Sequence, residues 1–167
     1  MEAHPSDSAA QELVERAIIQ RLSAAHPEWQ PLKWGVVAKA LGLSPVWQGV
    51  KPDAIWRTEN DELIIAECYA RVGVLKSGHK RKLAMDALKL MALCRQLADA
   101  KRLKCLIVIP QELEKQLKRE GWFCAALTMA GDVLPVDLLD DERKLLADTT
   151  QRQAEGQTRS RKREQMG

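Results

Sequence analysis

The stretch that most constrains this chain runs from Asp53 to Ile109. Two short runs, Asp53 to Thr58 (DAIWRT) and Glu62 to Ala70 (ELIIAECYA), carry β-branched and aromatic residues on either side of the polar Glu59-Asn60-Asp61. That pattern predicts a β-hairpin. After Gly73 and Gly78 comes the strongest helical period in the chain, about Lys80 to Ala100, with Leu83, Ala87, Leu90, Met91, Cys94 and Leu97 expected on its buried side. Leu103 to Ile109 (LKCLIVI) is then a continuous apolar run of the kind that fills a central strand. Strand, strand, helix and strand in that order imply an α/β domain with a mixed central sheet flanked by helices.

The flanking segments extend this block. Val14, Ile18, Leu22 and Ala25 recur at helical spacing between residues 9 and 25, with Pro27 and Pro31 just beyond. Leu32 to Val50 reads equally as a short helix or as a strand with a turn at Ser44-Pro45, because its period does not separate the two. Pro110 is placed to open a helix to about Glu120, and Val133 to Leu138 reads as a strand that Pro135 pushes towards an edge. Asp140 and Asp141 suit the start of a last helix. Beyond Thr150 the chain is polar with no apolar period, so no regular structure is expected there. The expected organisation is one domain over residues 1–150 and a basic tail over 151–167, consistent with a length of 167 residues.

Charge is distributed unevenly. Residues 71–104 hold ten Lys or Arg against two acids, while the segments 1–70 and 105–148 are each net negative. A basic island of this kind matches phosphate-backbone binding, where Lys and Arg displace counterions from a polyanion, although a solvated basic helix face would look the same. No apolar run reaches the ~18 residues of a membrane span, and the N-terminal residues lack a basic-then-apolar order, so a cytoplasmic protein is expected. Cys68, Cys94, Cys105 and Cys124 are scattered among apolar neighbours, which predicts four buried thiols rather than a zinc site.

Hydrolysis of a phosphodiester with metal assistance needs carboxylates converging on one divalent ion and a cation near the developing charge. Asp53 opens the first hairpin strand and Glu67 lies on the second, so antiparallel pairing can bring them together. By the two-residue period of a strand, Glu67 and Tyr69 point the same way, and Lys82, Asp86 and Lys89 form a polar stripe at i, i+4 and i+7 along the helix.

The passage Lys51-Pro52-Asp53-Ala54-Ile55-Trp56, then Ile64-Ile65-Ala66-Glu67-Cys68-Tyr69, then the basic helix, resembles the PD-(D/E)xK nuclease superfamily over roughly residues 10–110. The resemblance implies a restriction-endonuclease-like core in the order α-β-β-β-α-β, with Leu32 to Val50 supplying its first strand. It implies Mg²⁺ or Mn²⁺ held by Asp53, Glu67 and the main-chain carbonyl of Cys68, a first-helix acid at Glu12 or Glu15, and a nucleic-acid partner, most readily DNA. Enzymes of this size in the superfamily often pair, so a homodimer or larger complex is implied as well.

The departure is Tyr69, which stands where the superfamily places its catalytic lysine, and a neutral phenol does not replace an ammonium. Either a helix-side lysine such as Lys76, Lys80 or Lys82 reaches back, or the chain is an inactive binding or assembly module. Lys76, His79, Lys80, Arg81, Lys82 and Lys89 are the candidate nucleic-acid contacts. Gly73 to Lys80 is similar in outline to a phosphate-binding loop, but His79 and Lys80 occupy the positions of its Lys and Ser/Thr, which argues against nucleotide hydrolysis. The five tryptophans, beside a single Tyr and a single Phe, are expected mainly in the core, with Trp47 and Trp56 the best candidates for base stacking.

Overall fold

A computed structural model describes residues 8–97 and 102–164, with side chains described for 9–97 and 102–152. The hairpin is its centre. Strands β2 (Ala54–Arg57) and β3 (Leu63–Cys68) pair antiparallel, with Ala54 opposite Ala66 and Arg57 opposite Leu63. Their turn closes through Thr58 N–H donating to Glu62 O at 2.9 Å, and Asp61 takes the positive φ of 60° that Asp tolerates better than most residues. The long helix α4 (Ser77–Leu97) then returns the chain so that β4 (Leu103–Pro110) lies parallel to β3. A fifth strand, β5 (Asp132–Val136), pairs parallel with β4 and forms the sheet edge where Pro135 is tolerated. Gly131 precedes it because any Cβ there would fall 2.6 Å from the carbonyl oxygen of Cys105.

The remaining strand corrects one expectation. Leu32 to Val50 contains no strand; it holds two short helices, α2 (Trp34–Ala40) and α3 (Pro45–Gly49). The first strand is β1, only Gln30–Pro31, just upstream and paired antiparallel with β2. Helix wins in α2 because Trp34, Val37 and Ala38 fall on one buried stripe, and Pro45 suits the first turn of α3. The sheet is therefore mixed, in the order β1-β2-β3-β4-β5.

Both faces of the sheet are covered. On one, Leu63, Ile65, Tyr69, Ile107 and Ile109 pack with α2, α4, α5 (Gln111–Leu117) and α6 (Trp122–Ala130). On the other, Trp56, Ile64, Ala66, Cys68 and Val108 meet Val14 and Ile18 of α1 (Ser8–Ala25) and Leu146 of α7 (Asp140–Glu164). Each fully buried Leu or Ile contributes roughly 1.5–3 kcal/mol of transfer free energy. Arg21 of α1 pairs with Glu142 of α7, and Glu142 Oε2 accepts Leu139 N–H at 3.0 Å, so one carboxylate joins the two helices and caps the second.

Further expectations change in detail. Leu83, Ala87, Leu90 and Leu97 are buried in α4, but Met91 is exposed and Leu93 takes its place, because 90, 93 and 97 keep the helical phase. Cys94 and Cys105 are joined as a disulfide between α4 and β4, so they are not thiols; Cys68 is a free buried thiol and Cys124 a free, half-buried one. Helical backbone continues past Thr150 to Glu164, where no regular structure was expected, since the Gln, Arg, Lys and Glu of this stretch are good helix formers extending a helix already docked at Leu146. Trp34 and Trp56 are buried, the latter donating to Ser23 Oγ at 2.8 Å, which removes Trp56 as a stacking platform; Trp122 is exposed. Among the described residues no helix is long and apolar enough to cross a membrane.

Candidate active site

The hairpin register, continued one residue beyond Ala54, brings Asp53 to Glu67. Asp53 N–H donates to Ala66 O at 3.1 Å, and Asp53 Oδ2 accepts the N–H of Cys68 at 2.8 Å. Glu67 shares the α4 side of β3 with Ile65 and Tyr69 and is 1% exposed, whereas Asp53 is exposed at the rim. Burial first, and then the charge of Asp53, push the Glu67 carboxyl up to about 8 against the pull of Lys89. The Cys68 thiol lies on the opposite side of the sheet, with its pKa raised by burial, so only the main chain of Cys68 belongs to the site.

Two helices complete the cluster. From α1, Glu15 Oε1 accepts the N–H of Ala70 at 3.1 Å and an N–H of Gln11 at 2.7 Å. Burial lifts Glu15 to about 7; those hydrogen bonds hold it down, and the charge of Asp53 adds to the rise. Glu12, the other first-helix candidate, lies outside the site: it pairs with Arg16 and is 58% exposed. From α4, Asp86 is buried, with Lys82 Nζ 2.5 Å from its Oδ1 and with its Oδ2 unpartnered. Burial opposes the Lys82 ammonium, but the hydrogen bond and charge of Asp86, helped by Asp53 and Glu67, more than offset it and raise its pKa. Lys89 Nζ stands 2.6 Å from Glu67 Oε2 and donates to the carbonyl of Lys51 at 3.0 Å.

The expected nucleic-acid contacts divide accordingly. Lys82 and Lys89 turn towards the acids, and Lys80 Nζ lies 2.5 Å from Glu120. Lys76 and Arg81 are exposed. His79 is half-buried, with its ring nitrogen Nδ1 accepting the N–H of Lys76 at 3.3 Å, and burial followed by the charges of Arg71 and Lys76 disfavours its imidazolium. Tyr69 is buried, its phenol pushed up to about 12 chiefly by burial. Near neutral pH it is a neutral phenol.

Among the described residues no three Asp, Glu, His or Cys side chains converge into a metal cage. Mg²⁺, however, is commonly held by one or two carboxylates plus water and substrate phosphate. Glu67 fits that use: both of its oxygens are buried, Oε1 has no partner, and Oε2 has Lys89 Nζ at 2.6 Å. Asp53 is the adjoining carboxylate, its Oδ2 on the N–H of Cys68.

No family profile, curated protein or solved structure matches this chain.

The sequence singled out Asp53, Glu67 and Lys82 and set Asp86 on a polar stripe with Lys82 and Lys89, without a catalytic or metal-binding role. The signal was present in the α4 stripe, where an acid at i+4 from Lys82 falls on the flank facing Glu67.

Proposed function

We propose that this chain is a metal-dependent nuclease of the PD-(D/E)xK type acting on DNA, with the missing lysine replaced from α4. One observation carries the reading: the hairpin register sets Asp53 beside Glu67 at the end of β3, and the buried Glu67 keeps one oxygen, Oε1, without a partner. The element order α1, β1, β2, β3, α4, β4 agrees with the restriction-endonuclease-like core once α2 and α3 are taken as an insertion between its first two strands.

Asp53, Glu67 and the Cys68 carbonyl would hold Mg²⁺ or Mn²⁺. When bound, such an ion lowers the pKa of a water and draws charge from a phosphoryl oxygen. The protein's own residues do the rest. Asp53, fixed by the Cys68 N–H, presents one oxygen at the rim. Glu67, whose carboxyl burial holds largely protonated near neutral pH, would supply its charge only with the ion bound, from a buried position of low dielectric. Lys82, half exposed and braced by Asp86, sits among the acids and offers an ammonium to the phosphate in place of the residue lost at Tyr69. Glu15, lifted to about 7, is suited to accept a proton near neutral pH. Lys76 and Arg81 lie outside this cluster, exposed, and would meet the flanking backbone phosphates.

The Lys89–Glu67 pair favours a second reading, a catalytically inactive nuclease-fold subunit that binds DNA or assembles a complex, because Lys89 already compensates the buried acid. Cleavage of plasmid DNA with Mg²⁺ or Mn²⁺ separates the two. The nuclease reading expects cleavage by the wild type that Asp53→Ala and Glu67→Ala abolish while DNA affinity is largely kept. Wild-type protein that binds DNA and never cuts it would leave the second reading.

A further inference from the structure

Lys89 was expected on the nucleic-acid surface, yet its ammonium contacts an acid that is 1% exposed. Resting on the metal-nuclease reading, we infer that Lys89 is a built-in placeholder for the metal: its ammonium compensates Glu67 until a divalent ion arrives, and binding requires it to swing away.

Three observations carry this. Glu67 is buried, and the cation in contact with it among the described residues is Lys89, 2.6 Å from its Oε2. The contact occupies Oε2, one of the two oxygens that Glu67 could offer an ion. A divalent ion takes a carboxylate oxygen at about 2.1 Å, so an ammonium 2.6 Å from that oxygen would lie within about 5 Å of the ion, and the two cations repel. The lysine also has somewhere to go, because its side chain is 28% exposed and its second hold is a single hydrogen bond to the Lys51 carbonyl. Lys82 is placed differently: it pairs with Asp86 and leaves the oxygens of Glu67 untouched, so it stays when the ion enters.

The two cations are therefore coupled through one carboxylate, and removing one strengthens the other. Lys89→Gln, which shortens the side chain by one atom and removes its charge, should bind Mn²⁺ about tenfold more tightly than wild type in calorimetric titration without DNA, within the range usual for such couplings. Equal or weaker binding by the variant, with clear binding by the wild type, overturns the placeholder role and leaves the nuclease reading standing. Binding by neither protein at millimolar Mn²⁺ overturns both. If Lys89→Gln does not fold, the wild type answers alone: reductive methylation followed by peptide mass analysis should label Lys89 several-fold faster with saturating Mg²⁺ than with chelator. An unchanged rate at Lys89, with other lysines as internal controls, would show that the ion does not displace it.

Discussion

Glu67→Gln isolates the cost of placing a carboxyl inside this sheet. In the folded protein Glu67 titrates near 8, against an ordinary value of 4.5. Between those values the native state keeps a proton that the unfolded chain has released. The stability from that proton is complete below about pH 4.5 and is lost as the pH rises through about 8. Over that window each pH unit costs the fold at most about 1.4 kcal/mol through Glu67, or roughly 2–3 kcal/mol between pH 5.5 and 7.5. Glu15, lifted to about 7, acts with the same sign over a narrower range. The glutamine keeps the shape and does not titrate, and Lys89, already part-exposed, turns to water. Urea denaturation of both proteins from pH 5 to 8, at constant ionic strength with chelator, should give curves that diverge, the variant gaining on wild type as pH rises. Parallel curves would refute the claim that Glu67 is a buried, high-pKa acid.

Other outcomes follow from the same geometry. Lys82→Met should lower cleavage about 10²-fold, the usual cost of losing one charge-stabilising donor, and Tyr69→Lys in that background should recover part of it; single-turnover rates check both. A salt series of DNA-binding titrations should show Lys76→Ala with Arg81→Ala flattening the log–log salt slope by about 1 to 2. Lys80→Ala with Lys82→Ala should flatten it less, because those ammonium groups already face Glu120 and Asp86.

How much was legible depended on how local each determinant is. The meeting of Asp53 and Glu67 follows from a short turn that sets the hairpin register, and the side of Glu67 follows from the alternation Leu63, Ile65, Glu67, Tyr69. Glu15 rather than Glu12 could have been chosen from helical phase, since Gln11 and Glu15 flank the buried stripe of Val14 and Ile18 while Glu12 lies outside it. The two-residue β1 was hidden because a strand so short has no period, and α2 because its 7 residues make only about two turns, too few for a helical period to stand out. The Cys94–Cys105 bond and the Lys80–Glu120 and Lys89–Glu67 pairs depend on how α4 lies across the sheet, which no spacing along the chain encodes.

The central claim is tested most directly by nicking of supercoiled plasmid by the purified wild-type chain as Mg²⁺ is raised from zero, with Glu67→Ala prepared in parallel. The account predicts nicked and linear product from the wild type only when Mg²⁺ is present, none with chelator, and none from the variant at any concentration. Product from both proteins alike, or from neither with Mg²⁺ or with Mn²⁺ in its place, would contradict it.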